Sequence, residues 1–126
     1  MDELLILVTG STGKTGMPVV RLLRERGHRV RALVRKLDER AGRLAELGAE
    51  TVVGDYHDLS SIRKAMEGVR RVYFCYPPEG DRLLQAATNV AIAARDEGVR
   101  GLVNMSQISA REQTAMVFAR LLRAKL

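Results

Sequence analysis

The chain has 126 residues, 46% of them hydrophobic, which is enough for one compact domain with a core and too few for two. Its formal net charge is +6, but Arg21, Arg24, Arg26, Arg29, Arg31, Arg35, Arg40 and Arg43 are interleaved with leucine and valine at helix and strand periods. Only 4% of residues are aromatic, so a solvated basic surface is expected and a nucleic-acid partner is not.

The first element is the aliphatic run Leu4–Val8, a strand that ends in the glycine-rich stretch Gly10-Ser11-Thr12-Gly13-Lys14-Thr15-Gly16. Val19, Leu22 and Leu23 then recur at helical spacing up to Gly27. Val30–Val34 forms a second strand, and a polar helical stretch around Arg43–Leu47 closes at Gly48. Thr51–Val53 is a third strand, Leu59–Glu67 a short helix capped by Asp58 or Ser60 and ended by Gly68, and Val72–Cys75 a fourth strand. Asp81–Glu97, rich in alanine and leucine, is a long helix stopped by Gly98, and Leu102–Met105 a fifth strand. Gln113–Leu126 has the pattern of a basic amphipathic helix with Ala115, Phe118, Ala119, Leu122 and Leu126 on one face. Glycine thus stands where four successive helices end, the use expected of a residue that tolerates a left-handed C-cap.

Strands alternating with helices at this period predict an α/β fold: a Rossmann-type doubly wound parallel sheet of about five strands, order 3-2-1-4-5, with helices on both faces. Such sheets bind ligands at the carboxyl ends of their strands where the order reverses, here between the first and fourth strands, and the Gly10–Gly16 loop falls there. In that setting Gly10 lets the chain turn off the strand, Gly13 leaves no Cβ between backbone and phosphate, and Gly16 allows the new helix to pack close to the sheet. Backbone N–H groups of the first helical turn would face an anion, with hydroxyl bonds from Thr12 and Thr15. Pro18 is tolerated because the first turn has no acceptor for its missing donor. Gly13-Lys14-Thr15 also matches the end of the nucleoside-triphosphate loop, but the first glycine of that pattern would fall at Val8. A plain turn with no ligand is the remaining reading.

The second strand ends Val34-Arg35-Lys36, with Arg35 lying 19 positions beyond Gly16 and no carboxylate before Asp38. An acid there would bond the ribose hydroxyls of NAD, whereas an arginine accommodates a 2′-phosphate, so NADP(H) is favoured over NAD(H).

The stretches Leu5–Gly16, Arg31–Arg35, Val53-Gly54-Asp55 and Leu102–Ser106 together resemble the NmrA-like branch of the atypical short-chain dehydrogenases, over about residues 4 to 111. That resemblance implies NAD(P) binding, with some members reducing quinones and related small molecules and others sensing the nucleotide without turnover. It implies that Asp55 and Tyr56 lie beside the adenine and that Tyr76-Pro77-Pro78 line the path toward the nicotinamide. Departures accompany it. The Tyr-x-x-x-Lys pair of classical short-chain dehydrogenases is absent, since none of Tyr56, Tyr73 and Tyr76 has a lysine four positions later, and no catalytic residue is assigned. Ser106 and Gln107 sit where the fifth strand opens onto the site, but without a nearby base. His28 and His57 lack a second ligand at metal-like spacing and are expected to be structural or exposed.

The family continues for about as many residues again, with further strands and a substrate lobe, so a truncated chain is expected, whether by a premature stop, a frameshift or deliberate shortening. With strand five at an open edge and the Gln113–Leu126 face uncovered, a homodimer is expected ahead of a monomer in which that helix folds back. No apolar run approaches the roughly 18 residues of a membrane span, and Leu4–Val8 follows Asp2 and Glu3 rather than a basic region. Cys75 has no second cysteine, so no membrane contact and a reducing, cytoplasmic location are expected. Three function classes remain: a cofactor-dependent oxidoreductase, a nucleotide-sensing module, and a truncated product without activity of its own.

Overall fold

Each aliphatic run becomes a strand of one parallel sheet in the computed structural model, which describes residues 4–76 and 82–105. The strands are β1 (Leu5–Val8), β2 (Arg29–Val34), β3 (Glu50–Val53), β4 (Arg71–Phe74) and β5 (Gly101–Asn104). They lie in the order β3-β2-β1-β4-β5, every neighbouring pair parallel, with Leu5 opposite Arg29 and Ile6 opposite Arg71 in the central registers. The helices are α1 (Gly16–Glu25), α2 (Glu39–Glu46), α3 (Leu59–Met66) and α4 (Leu83–Asp96). The expected strand order, and with it the reversal beside β1, is therefore observed.

Helices on both faces explain why β1 is apolar without alternation. Ile6 and Val8 pack with Val30, Ala32 and Val34 against Val20 of α1 and Ala41 and Leu44 of α2. Leu5 and Leu7 pack with Leu33, Val72 and Phe74 against Ile62 and Met66 of α3 and Val90, Ala93 and Ala94 of α4. A strand buried on both sides has no polar face to show.

Helix ends follow local chemistry. Asp58, not Ser60, caps α3, its carboxylate accepting the N–H groups of Ser60 and Ser61; Asp38 does the same for Arg40 and Ala41 at α2. The four expected C-terminal glycines all adopt positive φ, between +73° at Gly98 and +89° at Gly48. Asp81, the expected start of the long helix, lies outside the described residues, as does all of Gln113–Leu126.

The solvated basic surface fails at two residues: Arg24 of α1 is half-buried and donates to the Leu47 and His28 carbonyls, and Arg31 is drawn in further. Arg31 of β2 has a side chain only 14% exposed; its Nη1 donates to the carbonyls of Ala65 and Glu67, each at 2.7 Å, and its Nε lies 3.3 Å from the Glu50 carboxylate. The end of α3 is thereby joined to the neighbouring strands β2 and β3. The carbonyls at the end of α3 lack helical partners, and a guanidinium from the sheet below supplies the donors.

At the sheet's described edge, β5 exposes Leu102 and Val103, with Val103 63% exposed, and Met105 just after the strand is exposed too. No described helix is long and apolar enough to cross a membrane.

Candidate nucleotide-binding crevice

The loop between β1 and α1 is shaped by its own backbone. Gly10 turns at φ +60°, a conformation that L side chains rarely adopt, and the Gly13 N–H returns to the Gly10 carbonyl at 3.0 Å. Gly16 begins α1 in close contact with that turn: a Cβ there would stand 2.0 Å from the Gly10 carbonyl oxygen. The close approach that requires this glycine is thus to the loop itself and not to the sheet. The N–H groups of Ser11, Thr12, Lys14, Thr15 and Gly16 have no backbone acceptor among the described residues, and α1 has no side-chain N-cap. Gly13, Lys14 and Thr15 are exposed and Thr12 partly so, whereas Ser11 and Gly16 are buried; the uncapped helix start with its exposed residues is a donor set that fits a phosphate group.

Beneath the loop the polar groups are satisfied internally. Ser11 is 1% exposed and its hydroxyl donates to the Leu33 carbonyl at 2.8 Å, tying the loop to β2. Thr9, wholly buried, donates from its hydroxyl to the Cys75 carbonyl and accepts from the Cys75 N–H, both at 2.9 Å, which extends the pairing of β1 with β4 by one residue. Tyr56 accepts the Gly10 N–H on its hydroxyl at 3.0 Å. Burial pushes the Tyr56 phenol above its ordinary value, opposed by hydrogen bonding to Thr9 and Gly10. The Thr15 hydroxyl lies 3.5 Å from the Cys75 sulfur and is otherwise open to solvent.

Arg35 and Lys36 emerge at the carboxyl end of β2, the neighbour of β1, and both are exposed. Their side chains have no hydrogen bond or ion pair among the described residues. Asp38, the nearest carboxylate in sequence, is occupied elsewhere: the Ala41 N–H, with help from Arg40, holds it below the usual carboxylate range.

Asp55 and Tyr56 leave the carboxyl end of β3, and Tyr76 that of β4. Between them stands His57, whose ring nitrogens lie 3.4 Å from the Asp55 carboxylate and 3.4 Å from the Tyr76 hydroxyl. The His57 N–H is the main reason that the Asp55 carboxyl is held low. Tyr56 and Tyr76 meet edge to face at 5.2 Å. His57 thus links the Asp55 carboxylate to the Tyr76 hydroxyl and is not a lone ring. Pro77, Pro78, Ser106 and Gln107 lie outside the described residues.

Sequence reasoning did not assign roles to Thr9 or to Asn89, whose amide donates to the Tyr56 carbonyl at 2.8 Å. For Thr9 a signal exists, since a hydroxyl directly after four buried aliphatic residues must find partners inside the protein. No cluster able to hold a metal is present among the described residues.

Comparison with known proteins bears on this crevice. The chain is 40% identical over 114 residues to sterol demethylase protein B of Methylococcus capsulatus, covering 82% of this chain and 34% of that protein. It superposes on triphenylmethane reductase of Citrobacter sp., solved in complex with NADP(H), with a TM-score of 0.80 and 33% identity over 95% of this chain and 43% of that one. A double mutant of NmrA shares the fold at a TM-score of 0.84 with 18% identity, covering 99% of this chain and 42% of that one. The chain spans less than half the length of each of these proteins. A family model described as NAD(P)H-binding matches residues 10–126, continuing past Arg111 where the resemblance read from sequence fades. Because that match starts at the first glycine of the loop and takes in every later element of the sheet, the chain belongs to the NAD(P)H-binding family.

Proposed function

We propose that the crevice binds NADP(H) in preference to NAD(H), with the Gly10–Gly16 loop around the pyrophosphate. In this reading the backbone N–H groups of Ser11, Thr12, Lys14 and Thr15 bond the phosphate oxygens. Gly13 keeps the approach open, and the Thr12 and Thr15 hydroxyls add donors. Arg35 and Lys36 hold the 2′-phosphate, Asp55 and Tyr56 flank the adenosine half, and Tyr76 and Pro77 lie toward the nicotinamide. The bound nucleotide supplies a hydride, and the chain serves as the cofactor half of a reductase acting on a quinone or another small molecule. Triphenylmethane reductase, solved with NADP(H), supports the choice of nucleotide and reaction class.

The observation that carries the preference is the exposed Arg35–Lys36 pair at the end of β2, whose side chains have no partner among the described residues, with Asp38 turned to capping α2. Calorimetric titration of the chain should give tighter binding of NADPH than of NADH. Arg35→Ala should shrink the gap by about tenfold or more, the worth of a charge-assisted bond of ~1.5–3 kcal/mol. Equal affinities in the unaltered chain, or a preference for NADH, would refute the assignment.

A further inference from the structure

The Gly10 turn is tied to a distant segment of the chain. Gly10 lies two positions beyond Val8, the last β1 residue paired to β4, and Thr9 between them is the final residue whose N–H reaches a β4 carbonyl, that of Tyr73 at 3.0 Å. One position later the chain turns left-handed and the Gly10 N–H has left the ladder. A glycine has no side chain to fix its own conformation. The acceptor that meets this N–H comes from 46 residues away, the Tyr56 hydroxyl at 3.0 Å.

Tyr56 is itself held at both ends. Asn89 of α4 donates to its carbonyl at 2.8 Å. Its ring is wedged edge-on between Phe74, at 6.5 Å, and Tyr76, at 5.2 Å. A rigid six-membered ring between two fixed anchors acts as a strut from helix α4 to the first residue of the loop.

We propose that Tyr56 is a positioning residue for the nucleotide: its hydroxyl sets the Gly10 turn so that the loop donors converge on the pyrophosphate, with Asn89 setting Tyr56 in turn. This rests on the reading of the loop as a dinucleotide site. It differs from that reading in what Tyr56 does, because the hydroxyl serves the protein's own backbone and acts on the ligand through the loop.

Tyr56→Phe deletes one oxygen and keeps the ring. Two probes separate loop positioning from adenosine contact: NADP⁺, and adenosine 2′-monophosphate, which has the base, ribose and 2′-phosphate but no pyrophosphate. The expected result is an NADP⁺ dissociation constant raised about tenfold, with that of adenosine 2′-monophosphate within about twofold of the original. Without nucleotide, exchange of the Gly10 amide followed by NMR should quicken by about tenfold as its acceptor is lost. Equal weakening of both ligands would assign Tyr56 to the adenosine half and overturn the proposal, as would unchanged NADP⁺ affinity or unchanged Gly10 exchange. If the unaltered chain binds neither nucleotide, the dinucleotide reading falls and this proposal with it, whereas a failure confined to Tyr56→Phe overturns the proposal alone. Should Tyr56→Phe not fold, Asn89→Ala carries the same two-ligand comparison, with loss confined to NADP⁺ expected and no selective loss overturning it.

Discussion

Replacing Gly16 by alanine adds one methyl group at the tightest point of the loop. The new Cβ would stand 2.0 Å from the Gly10 carbonyl oxygen, 2.6 Å from its carbon and 2.8 Å from the Ser11 Cα. All three are backbone atoms, so no side chain can swing aside, and restoring an ordinary contact requires the loop and α1 to separate by about 1 Å. A shift of that size carries N–H groups out of bonding range of a bound phosphate, at ~1.5–3 kcal/mol for each charge-assisted bond lost. Two such losses amount to about a hundredfold or more in the NADP⁺ dissociation constant. Gly13 is the control, because a Cβ there meets only the Gly10 carbonyl oxygen, at 3.3 Å, and otherwise open space. Gly16→Ala should therefore lower both the urea midpoint and nucleotide affinity, while Gly13→Val should lower affinity with the helical circular dichroism largely kept. Calorimetry and urea melts on the two variants decide it. Gly16→Ala binding NADP⁺ within about twofold of the original would refute the argument that loop geometry sets affinity.

Arg31→Met removes the donors to the Ala65 and Glu67 carbonyls and should cost about 1–3 kcal/mol in urea unfolding while leaving nucleotide affinity unchanged; a neutral midpoint would show that water serves those carbonyls equally well. Asp38, Asp55 and Asp96 are held below the carboxylate value of 3.8, chiefly by the Ala41 N–H, the His57 N–H and the Arg63 guanidinium respectively. Since a depressed carboxyl contributes stability above its unfolded pKa and loses it as pH falls through the folded one, the urea midpoint should drop on going from about pH 5 to about pH 2; a midpoint that is flat or rises would contradict it.

What could be read from the sequence is what is decided locally. Gly27, Gly48, Gly68 and Gly98 announce helix ends because a left-handed C-cap is a requirement on one residue. The strand order follows from the alternation of elements, because right-handed crossovers leave few topologies. The glycine-rich turn after β1 was legible for the same reason, and so was a cap at the start of α3, although the choice between Asp58 and Ser60 stayed open until the structure gave Asp58. What escaped depends on contacts between distant segments. Arg31 looks in sequence like its neighbours Arg29 and Arg35, and only the end of α3, more than thirty residues on, takes it from solvent. Tyr56 was assigned to the adenine by resemblance, but no periodicity indicates that its hydroxyl meets Gly10. The inward turn of the Ser11 hydroxyl to Leu33 is equally invisible in a string of small polar residues.

The missing side-chain cap on α1 has a consequence for how this chain trades robustness against recognition. Thr15 occupies the N-cap position with helical dihedrals, φ −99° and ψ −36°, and its hydroxyl does not fold back onto the helix. A capping hydroxyl there would add about 1 kcal/mol to the empty protein, as Asp38 and Asp58 do for the two helices that follow. It would also occupy N–H groups that a phosphate needs. The start of α1 thus keeps its N–H groups uncapped by any side chain, and under the proposed dinucleotide reading the phosphate would itself serve as the cap of the helix that binds it.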